Sequence, residues 1–229
     1  AAQPHAGHAA LVLLEQRVAR LIDQGEWSAL TAATFVQADR PRLRITELMY
    51  HPADPAQGDA ADVEFLEVAN LGQRSLELGG FRLTGGIQFD FPDATLAPAE
   101  HVVVVSDQAE YLAHYDSDAR VMGQYNGQLS NGGESIRLAA PLGETVLDFQ
   151  YDDGWYPVTD GDGYSLVIVD PSADPAAWNL KSNWRPSDRP AGSPGLADPM
   201  DARVIDQVAA EIANGQARAD FNGDGQADQ

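Results

Sequence analysis

The chain contains no cysteine, and that absence excludes two classes of site. Disulfide scaffolds, and the zinc or redox centres that use thiolates, both require a Cys side chain. Any metal site in this sequence must therefore use oxygen or imidazole ligands. Long apolar runs are also absent, since no stretch of about 18 consecutive apolar residues occurs, and the sequence predicts no membrane-spanning helix.

Basic side chains are scarce. The 229 residues include 35 acidic and 14 basic side chains, Lys181 is the only lysine, and the formal net charge is -21. A surface of this sign repels phosphate backbones and anionic membranes, so neither nucleic acid nor a lipid surface is an expected partner. It attracts divalent cations and basic partners. The simpler interpretation is that heavy use of aspartate keeps an extracellular or salt-exposed protein in solution.

The N-terminal segment predicts helix. Apolar residues recur at helical spacing over residues 9–24, and Gly25 then provides a stop. A further short turn or helix is expected in residues 26–35, and Pro41 favours a boundary. Residues 1–8 have no basic n-region and so predict no signal peptide. The sequence begins without Met, which suggests a processed or excised piece.

Residues 43–169 predict strands, because short apolar runs alternate with Gly, Pro, Asn and Asp clusters. A spacing of about 8 to 12 residues is typical of an antiparallel sandwich. Four consecutive valines at 102–105 predict a strand buried on both faces, since β-branched side chains are stiff and suit strands. One or two helical turns are expected in residues 108–115. The predicted strands are 43–50, 63–69, 81–84, 87–91, 101–106, 135–139, 145–151 and 164–169.

The segment after residue 169 is rich in proline and holds Trp178 and Trp184. Tryptophan carries too much apolar area to leave in water, so we expect an ordered tail packed across the sandwich. A final helix is predicted over residues 201–214, ending at Asn214 and Gly215. The predicted fold class is therefore mainly β, an antiparallel β-sandwich with short flanking helices at both ends.

A series of short motifs runs in a specific order from residue 43 to residue 195. The motifs are ITELMYHP (45–52), EFLEVAN (64–70), LGGFRL (78–83), FP (91–92), LAP (96–98), LSNGGESIRL (129–138), GDGYSL (161–166), NWRPS (183–187) and GSPG (192–195). This series resembles the lamin-tail domain, an immunoglobulin-like sandwich, in the branch found in secreted bacterial proteins. His51 stands where that family usually has asparagine. The resemblance implies a binding or structural module rather than a catalyst, preceded by a domain of which residues 1–41 are a helical remnant.

Residues 220–228, DFNGDGQAD, fit the first nine positions of a calcium loop of EF-hand type. Side-chain oxygens at positions 1, 3 and 5 converge on the ion, a backbone carbonyl serves at position 7, and position 9 reaches it directly or through water. The twelfth position, which gives a bidentate carboxylate, lies beyond the printed sequence. We therefore predict calcium as the cofactor of a truncated site with the ligands Asp220, Asn222, Asp224, Gln226 and Asp228.

Together with the predicted helix before the loop, residues 198–229 resemble the opening of a dockerin-type repeat. Such repeats are paired calcium loops that dock extracellular enzymes or surface proteins onto cohesin partners. The resemblance implies a cohesin-like protein, or another extracellular protein or polysaccharide, as the partner. The alternative interpretation of this segment is an aspartate-rich flexible tail.

Four aspartates in one loop form a weaker candidate site: Asp152, Asp153, Asp160 and Asp162. Paired carboxylates bind metals or act as acid and base. We interpret them as solvated turn residues, since no nearby His or Lys gives them a partner.

Two other pairs of residues favour structural interpretations. Glu64 and Glu67 alternate with apolar residues, so we expect them on the exposed face of a strand. His5 and His8 have a chelating i, i+3 spacing but lie at a terminus, where fraying is expected.

No Ser-His-Asp order, Gly-x-Ser-x-Gly elbow or phosphate-binding glycine loop occurs, so we assign neither catalytic nor specific ligand-binding residues. We predict a non-catalytic binding or structural module of a large secreted or cell-surface bacterial protein. Its sandwich covers residues 42–197, and residues 198–229 anchor it through calcium when that segment is complete. One alternative is part of an extracellular metal-dependent hydrolase of phosphodiesterase or nuclease type, with its site in residues 148–162. Another is a stabilising cap for a catalytic domain upstream.

Overall fold

The computed structural model describes residues 14–19, 22–23, 26–27, 31–36, 41–55 and 58–198. The chain divides into two compact units, Ala1–Arg40 and Pro41–Gln229. The predicted helix over residues 201–214 and the predicted calcium loop both lie outside the described residues. Within them, no helix is long and apolar enough to cross a bilayer.

The described part of the first unit consists of short strands. Strand β1 (Leu14–Ala19) pairs antiparallel with β4 (Thr31–Val36), and β2 (Ile22–Asp23) pairs with β3 (Glu26–Trp27). The helices predicted over residues 9–24 and 26–35 are therefore wrong in these residues. The β-branched and aromatic residues of β4 favour the extended conformation. Pairing with β4 then holds β1 extended as well, although the apolar residues of the β1 segment have helical spacing.

The second unit is built on two main sheets. The six-stranded sheet has the strand order β12-β11-β6-β5-β16-β17, and the five-stranded sheet has the order β13-β9-β8-β14-β15. Strands β7 and β10 pair with each other. The strands are β5 (Leu43–Met49), β6 (Phe65–Asn70), β7 (Leu76–Glu77), β8 (Arg82–Gly85), β9 (Ile87–Asp90), β10 (Thr95–Leu96), β11 (His101–Val105), β12 (Arg120–Gln124), β13 (Asn126–Gly127), β14 (Glu134–Ala139), β15 (Thr145–Tyr151), β16 (Leu166–Ile168) and β17 (Trp184–Pro186).

Short helices fill the connections. Helix α1 (Gln108–His114) follows β11, and the Asp107 carboxylate caps its N-terminus by accepting hydrogen bonds from the backbone N–H groups of Ala109 and Glu110. The 3-10 helices are Ala60–Val63, Asp153–Trp155, Pro157–Thr159, Pro175–Asn179 and Lys181–Asn183. The mainly β, immunoglobulin-like sandwich predicted from the sequence is confirmed. Of the two predicted flanking helices, the N-terminal one is wrong in the described residues, and the C-terminal one lies outside them.

One pair of strands departs from the antiparallel prediction. Strand β12 runs parallel to β11, and the loop between them contains α1. No strand was predicted over β12, because its sequence RVMGQ has neither a regular alternation nor a long apolar run.

The core lies between the two sheets, and the six-stranded sheet is buried on its other face as well. Val102 and Val104 belong to the main core, whereas Val103 and Val105 join a second cluster with Phe65, Tyr111 and Tyr115. The two tyrosines come from α1 and its C-cap. All four valines are fully buried, which confirms the prediction for residues 102–105.

The tail after β16 is ordered, as its tryptophans predicted. Trp178 is fully buried, and its indole N–H donates to the carbonyl of Ile45 at 3.0 Å. The indole N–H of Trp184 donates to the carbonyl of Trp178 at 2.8 Å. These bonds satisfy both buried indoles and fix the tail across the edge of the sandwich.

Candidate functional site

A β-bulge gathers polar side chains on the outer face of the six-stranded sheet. Ile45 pairs with Val68 and Glu47 pairs with Glu67, so Thr46 is an extra residue in β5. In a bulge two residues oppose one residue of the neighbouring strand. Thr46 and Glu47 therefore both meet Glu67, and we call Glu47 and Glu67 the carboxylate pair.

Glu47 is buried and accepts three hydrogen bonds. The Ser165 hydroxyl and the backbone N–H of Ser193, at 2.9 Å, donate to Oε1, and the Ser193 hydroxyl lies 3.0 Å from Oε2. Burial and the neighbouring Glu67 carboxylate raise the pKa of Glu47 to about 8, although these hydrogen bonds favour the ionised form. Burial and the neighbouring carboxylate thus favour the protonated carboxyl of Glu47 at neutral pH, in which Oε2 donates to the Ser193 hydroxyl instead of accepting from it.

Glu67 is buried beside it with a different set of partners. The Thr46 hydroxyl donates to Oε1, and His101 Nδ1 lies 2.8 Å from the same oxygen. The backbone N–H of Gly195 donates to Oε2 at 2.7 Å. A half-buried imidazole and two donors thus compensate this carboxylate for the loss of water.

A stretch of irregular chain, residues 187–198, covers the carboxylate pair, and we call it the strap. Its first turn bonds to the chain just before β16. Ser187 N–H donates to the Ser165 carbonyl at 2.9 Å, and Ala191 N–H donates to the Gly163 carbonyl at 2.8 Å. The strap therefore extends the antiparallel contact between β16 and β17 before it crosses β5 and β6.

The far end of the strap is also held. Arg185 Nη2 donates to the carbonyl of Asp198 at 2.9 Å and to its Oδ1 at 3.1 Å. The Ser117 hydroxyl donates to the Pro194 carbonyl at 2.9 Å. The strap and the sheet consequently bury the carboxylate pair, and in the described part of the chain each of the two side chains is only 1% exposed.

A third carboxylate, Glu64, lies buried at the start of β6. Its Oε2 accepts hydrogen bonds at 2.9 Å from the Tyr125 hydroxyl and from the backbone N–H of Leu129. Burial raises the pKa of Glu64 to about 7. The prediction that Glu64 and Glu67 occupy the exposed face of a strand is therefore wrong.

The physical reason is that the six-stranded sheet has no exposed face along β6. Every residue of β6 is buried, and Glu67 faces the strap while its neighbours Leu66 and Val68 face the core. The sequence did contain a signal for this burial, because apolar residues occupy successive positions on both sides of Glu67. A strand with one solvent-exposed face shows a stricter alternation of apolar and polar residues. Nothing local to β5 or β6 predicted the strap that covers them.

Two aspartates of the acidic loop make local hydrogen bonds. Asp152 caps the Asp153–Trp155 turn by accepting a hydrogen bond from the Gly154 N–H at 2.8 Å. Asp160 Oδ1 lies 2.6 Å from His51 Nδ1, so the prediction that no histidine partners these aspartates is wrong for Asp160. This pair is partly exposed and ties the turn after β5 to the loop before β16.

Within residues 41–55 and 58–198, no three His, Asp or Glu side chains are grouped so that they can hold a metal ion. The predicted ligands Asp220, Asn222, Asp224, Gln226 and Asp228 lie outside the described residues, as do His5 and His8. The calcium site therefore stays a prediction.

The outer face of the five-stranded sheet is exposed, in contrast to that of the six-stranded sheet. Arg137 lies between Thr84 and Asp148 in the cross-strand register, and Arg82 forms an ion pair with Asp90 at 2.8 Å. We call this surface the open face; its exposed residues are Arg82, Thr84, Gln88, Asp90, Ser135, Arg137, Asp148 and Gln150.

Comparison with known protein families gives one match. The family model described as Lamin Tail Domain matches residues 36–153, which include strands β5 to β15. Strands β16 and β17 and the strap follow the matched region. The search of the curated proteins finds no match.

Proposed function

Since the chain belongs to the lamin tail domain family, we propose that it is a non-catalytic module that binds a protein or polysaccharide through the open face. The family suggests a non-catalytic, immunoglobulin-like module. The observation that carries the proposal is the contrast between the two outer sheet faces. The strap and α1 cover one face, whereas the other presents polar and charged side chains to solvent.

The chemistry of the open face fits a polar ligand. Two arginines, with hydroxyl and amide side chains between them, offer donors and acceptors on a rigid surface of paired strands. Rigid elements hold binding groups more precisely than loops do. The balance of Arg82 and Arg137 against Asp90 and Asp148 also makes this face nearly neutral on a strongly acidic chain.

We place this module in a large secreted or cell-surface bacterial protein. Two observations support that location: the motifs resemble the bacterial branch of the lamin-tail family, and the composition is strongly acidic. Calcium-dependent anchoring by residues 198–229 to a cohesin-like partner completes the proposal. Its support is the spacing of oxygen ligands in residues 220–228.

The binding proposal is tested on an array of acidic and neutral oligosaccharides and extracellular proteins. We expect the Arg82→Ala, Arg137→Ala double variant to lose at least about tenfold in affinity for any ligand found, which is about 1.4 kcal/mol. Arg74→Ala, an exposed arginine outside the two main sheets, is the matched control and should bind normally. Equal loss in both variants would contradict a site on the open face.

Calcium anchoring is tested by calorimetric titration of the parent protein with Ca²⁺. The Asp220→Ala, Asp224→Ala double variant should lose the binding heat, because positions 1 and 5 supply direct ligands. Asp201→Ala, in the predicted helix, should retain it. If the unmodified protein produces no binding heat, residues 220–228 are a flexible tail.

The hydrolase alternative predicts release of p-nitrophenol from bis-p-nitrophenyl phosphate with Mg²⁺, Mn²⁺ or Ca²⁺ present. Our proposal predicts no release above that of the buffer with metal. Turnover that disappears in the Asp152→Asn, Asp153→Asn double variant would establish the hydrolase and overturn the proposal.

A further inference from the structure

The strap reaches the sheet through the carboxylate pair. Three of its polar groups, the Ser193 N–H, the Ser193 hydroxyl and the Gly195 N–H, bond to Glu47 or Glu67. The approach is close, since a Cβ on Gly192 would collide with Glu47 Oε1, and Gly192 has a φ of 69°. The strap is thus fitted to these two side chains, and a change in their charge acts directly on it.

Few positive charges lie near Glu47 to stabilise its ionised form. Glu67 of β6 faces it across the register pair, and His101 of β11 bonds to Glu67 rather than to Glu47. From the other side, the Tyr111 hydroxyl of α1 interacts electrostatically with both carboxyls of the pair, and the Tyr115 hydroxyl at the C-cap interacts with Glu47. The strap itself contributes neutral donors, and its Arg189 bonds instead to the Gly192 carbonyl at 3.2 Å.

We propose that the strap is a pH-dependent latch, closed over the carboxylate pair while Glu47 is protonated and released when Glu47 gives its proton to solvent. In the closed form a second negative charge would lie next to Glu67 without water. In the open form both carboxylates are hydrated.

The direction of the effect follows from proton linkage. The pKa of Glu47 is about 8 with the strap closed and returns toward 4.5 when opening admits water. Between these values the closed form binds one proton more than the open form. The opening equilibrium therefore rises by about tenfold for each pH unit from about 5 to about 8, and then becomes constant.

The test is amide hydrogen exchange of the 229-residue chain measured by NMR at pH 5 to 9. Dividing each rate by the intrinsic rate gives an opening constant. For Ser193 and Gly195 we expect this constant to exceed that of Val104 in the core and to rise about tenfold per pH unit up to about pH 8. Glu47→Gln, which is nearly isosteric and cannot ionise, should abolish that rise. Glu64→Gln, another buried carboxylate variant, should leave it unchanged.

Two outcomes overturn the latch. One is a Ser193 opening constant equal to that of Val104 at every pH, because the strap would then open only in global unfolding. The other is an unchanged pH dependence in Glu47→Gln. If that variant does not fold, a carbon-13 NMR titration of the Glu47 carboxyl in the unmodified chain decides. A midpoint between pH 7 and 9 that coincides with shift changes at Ser193 supports the latch, and a carboxylate already ionised at pH 5 refutes it.

Discussion

The carboxylate of Glu64 accepts hydrogen bonds from Tyr125 and from the Leu129 backbone in the interior. Glu64→Ala leaves both donors without their acceptor, and we expect a loss of about 3 kcal/mol in the free energy of unfolding. Glu64→Gln keeps an acceptor oxygen and should lose about 1 kcal/mol. Urea unfolding at pH 7 measures both. Equal losses would mean that an amide oxygen cannot replace the carboxyl oxygen as the acceptor for Tyr125 and Leu129.

Glycine is required at one turn for two separate reasons. Gly85, at the end of β8, has a φ of 124°, and a Cβ there would collide with the Ser135 carbonyl. Gly143 also has a positive φ, 88°, but open space surrounds its Cβ position. We expect Gly143→Ala to cost about 1 kcal/mol from backbone strain alone and Gly85→Ala to cost at least about 3 kcal/mol. Thermal unfolding of the two variants separates strain from collision, and equal shifts in Tm would contradict the distinction.

Residue chemistry predicted some positions well and others wrongly. Four consecutive valines favour a strand buried on both faces, and the large apolar areas of Trp178 and Trp184 favour burial. Both predictions follow from the side chains alone and do not depend on the rest of the fold. The burial of Glu47 and Glu67 depends on a strap more than 100 positions away in sequence. Charge favours water, so the exposed position predicted for Glu67 is reversed only because His101, Thr46 and the distant Gly195 N–H supply polar partners in the interior.

At the scale of elements, the exposed edge of β15 is closed by a side chain. Asn179 Oδ1 accepts from the Gln150 N–H at 3.1 Å, and Asn179 Nδ2 donates to the Asp148 carbonyl at 3.3 Å. The amide thus replaces a neighbouring strand at the edge of the five-stranded sheet. Unpaired edges favour association between chains.

We expect Asn179→Ala to lower the free energy of unfolding by about 1 kcal/mol and to increase aggregation on storage. The same substitution at Asn131, in an exposed turn, is the control and should change neither quantity. Urea unfolding and light scattering measure the two effects. An unaltered aggregation rate in Asn179→Ala would show that other features protect this edge.

Element prediction succeeded where the local pattern and the tertiary pairing agree. Strand β15 has the predicted bounds, and α1 begins at the predicted residue, because alternation and capping are local signals. The segment around β1 failed for the opposite reason. Its spacing fits a helix, but pairing with β4 decides its conformation. Strand β12 depends in the same way on β11 beside it.

At the scale of the whole molecule, two buried carboxylic acids determine how stability responds to pH. Burial raises the pKa of Glu47 to about 8 and that of Glu64 to about 7, whereas in the unfolded chain both lie near 4.5. Between pH 4.5 and 8 the folded state therefore binds more protons than the unfolded state. Stability is greatest at the acidic end of that window and falls as the pH rises. Glu100, whose pKa is lowered chiefly by a hydrogen bond from the Ala97 N–H, acts in the opposite sense at lower pH.

We therefore expect the free energy of unfolding to be greatest near pH 5 and to fall by about 6 kcal/mol between pH 5 and pH 9, of which Glu47 supplies about 4 kcal/mol. The net charge of -21 adds to the trend, because ionisation increases self-repulsion. Urea unfolding at four pH values measures the decline. The Glu47→Gln, Glu64→Gln double variant should remove most of it, and Glu110→Gln, at an exposed site on α1, should retain it. A decline of the same size in all three proteins would assign the effect to the overall charge and not to the buried acids.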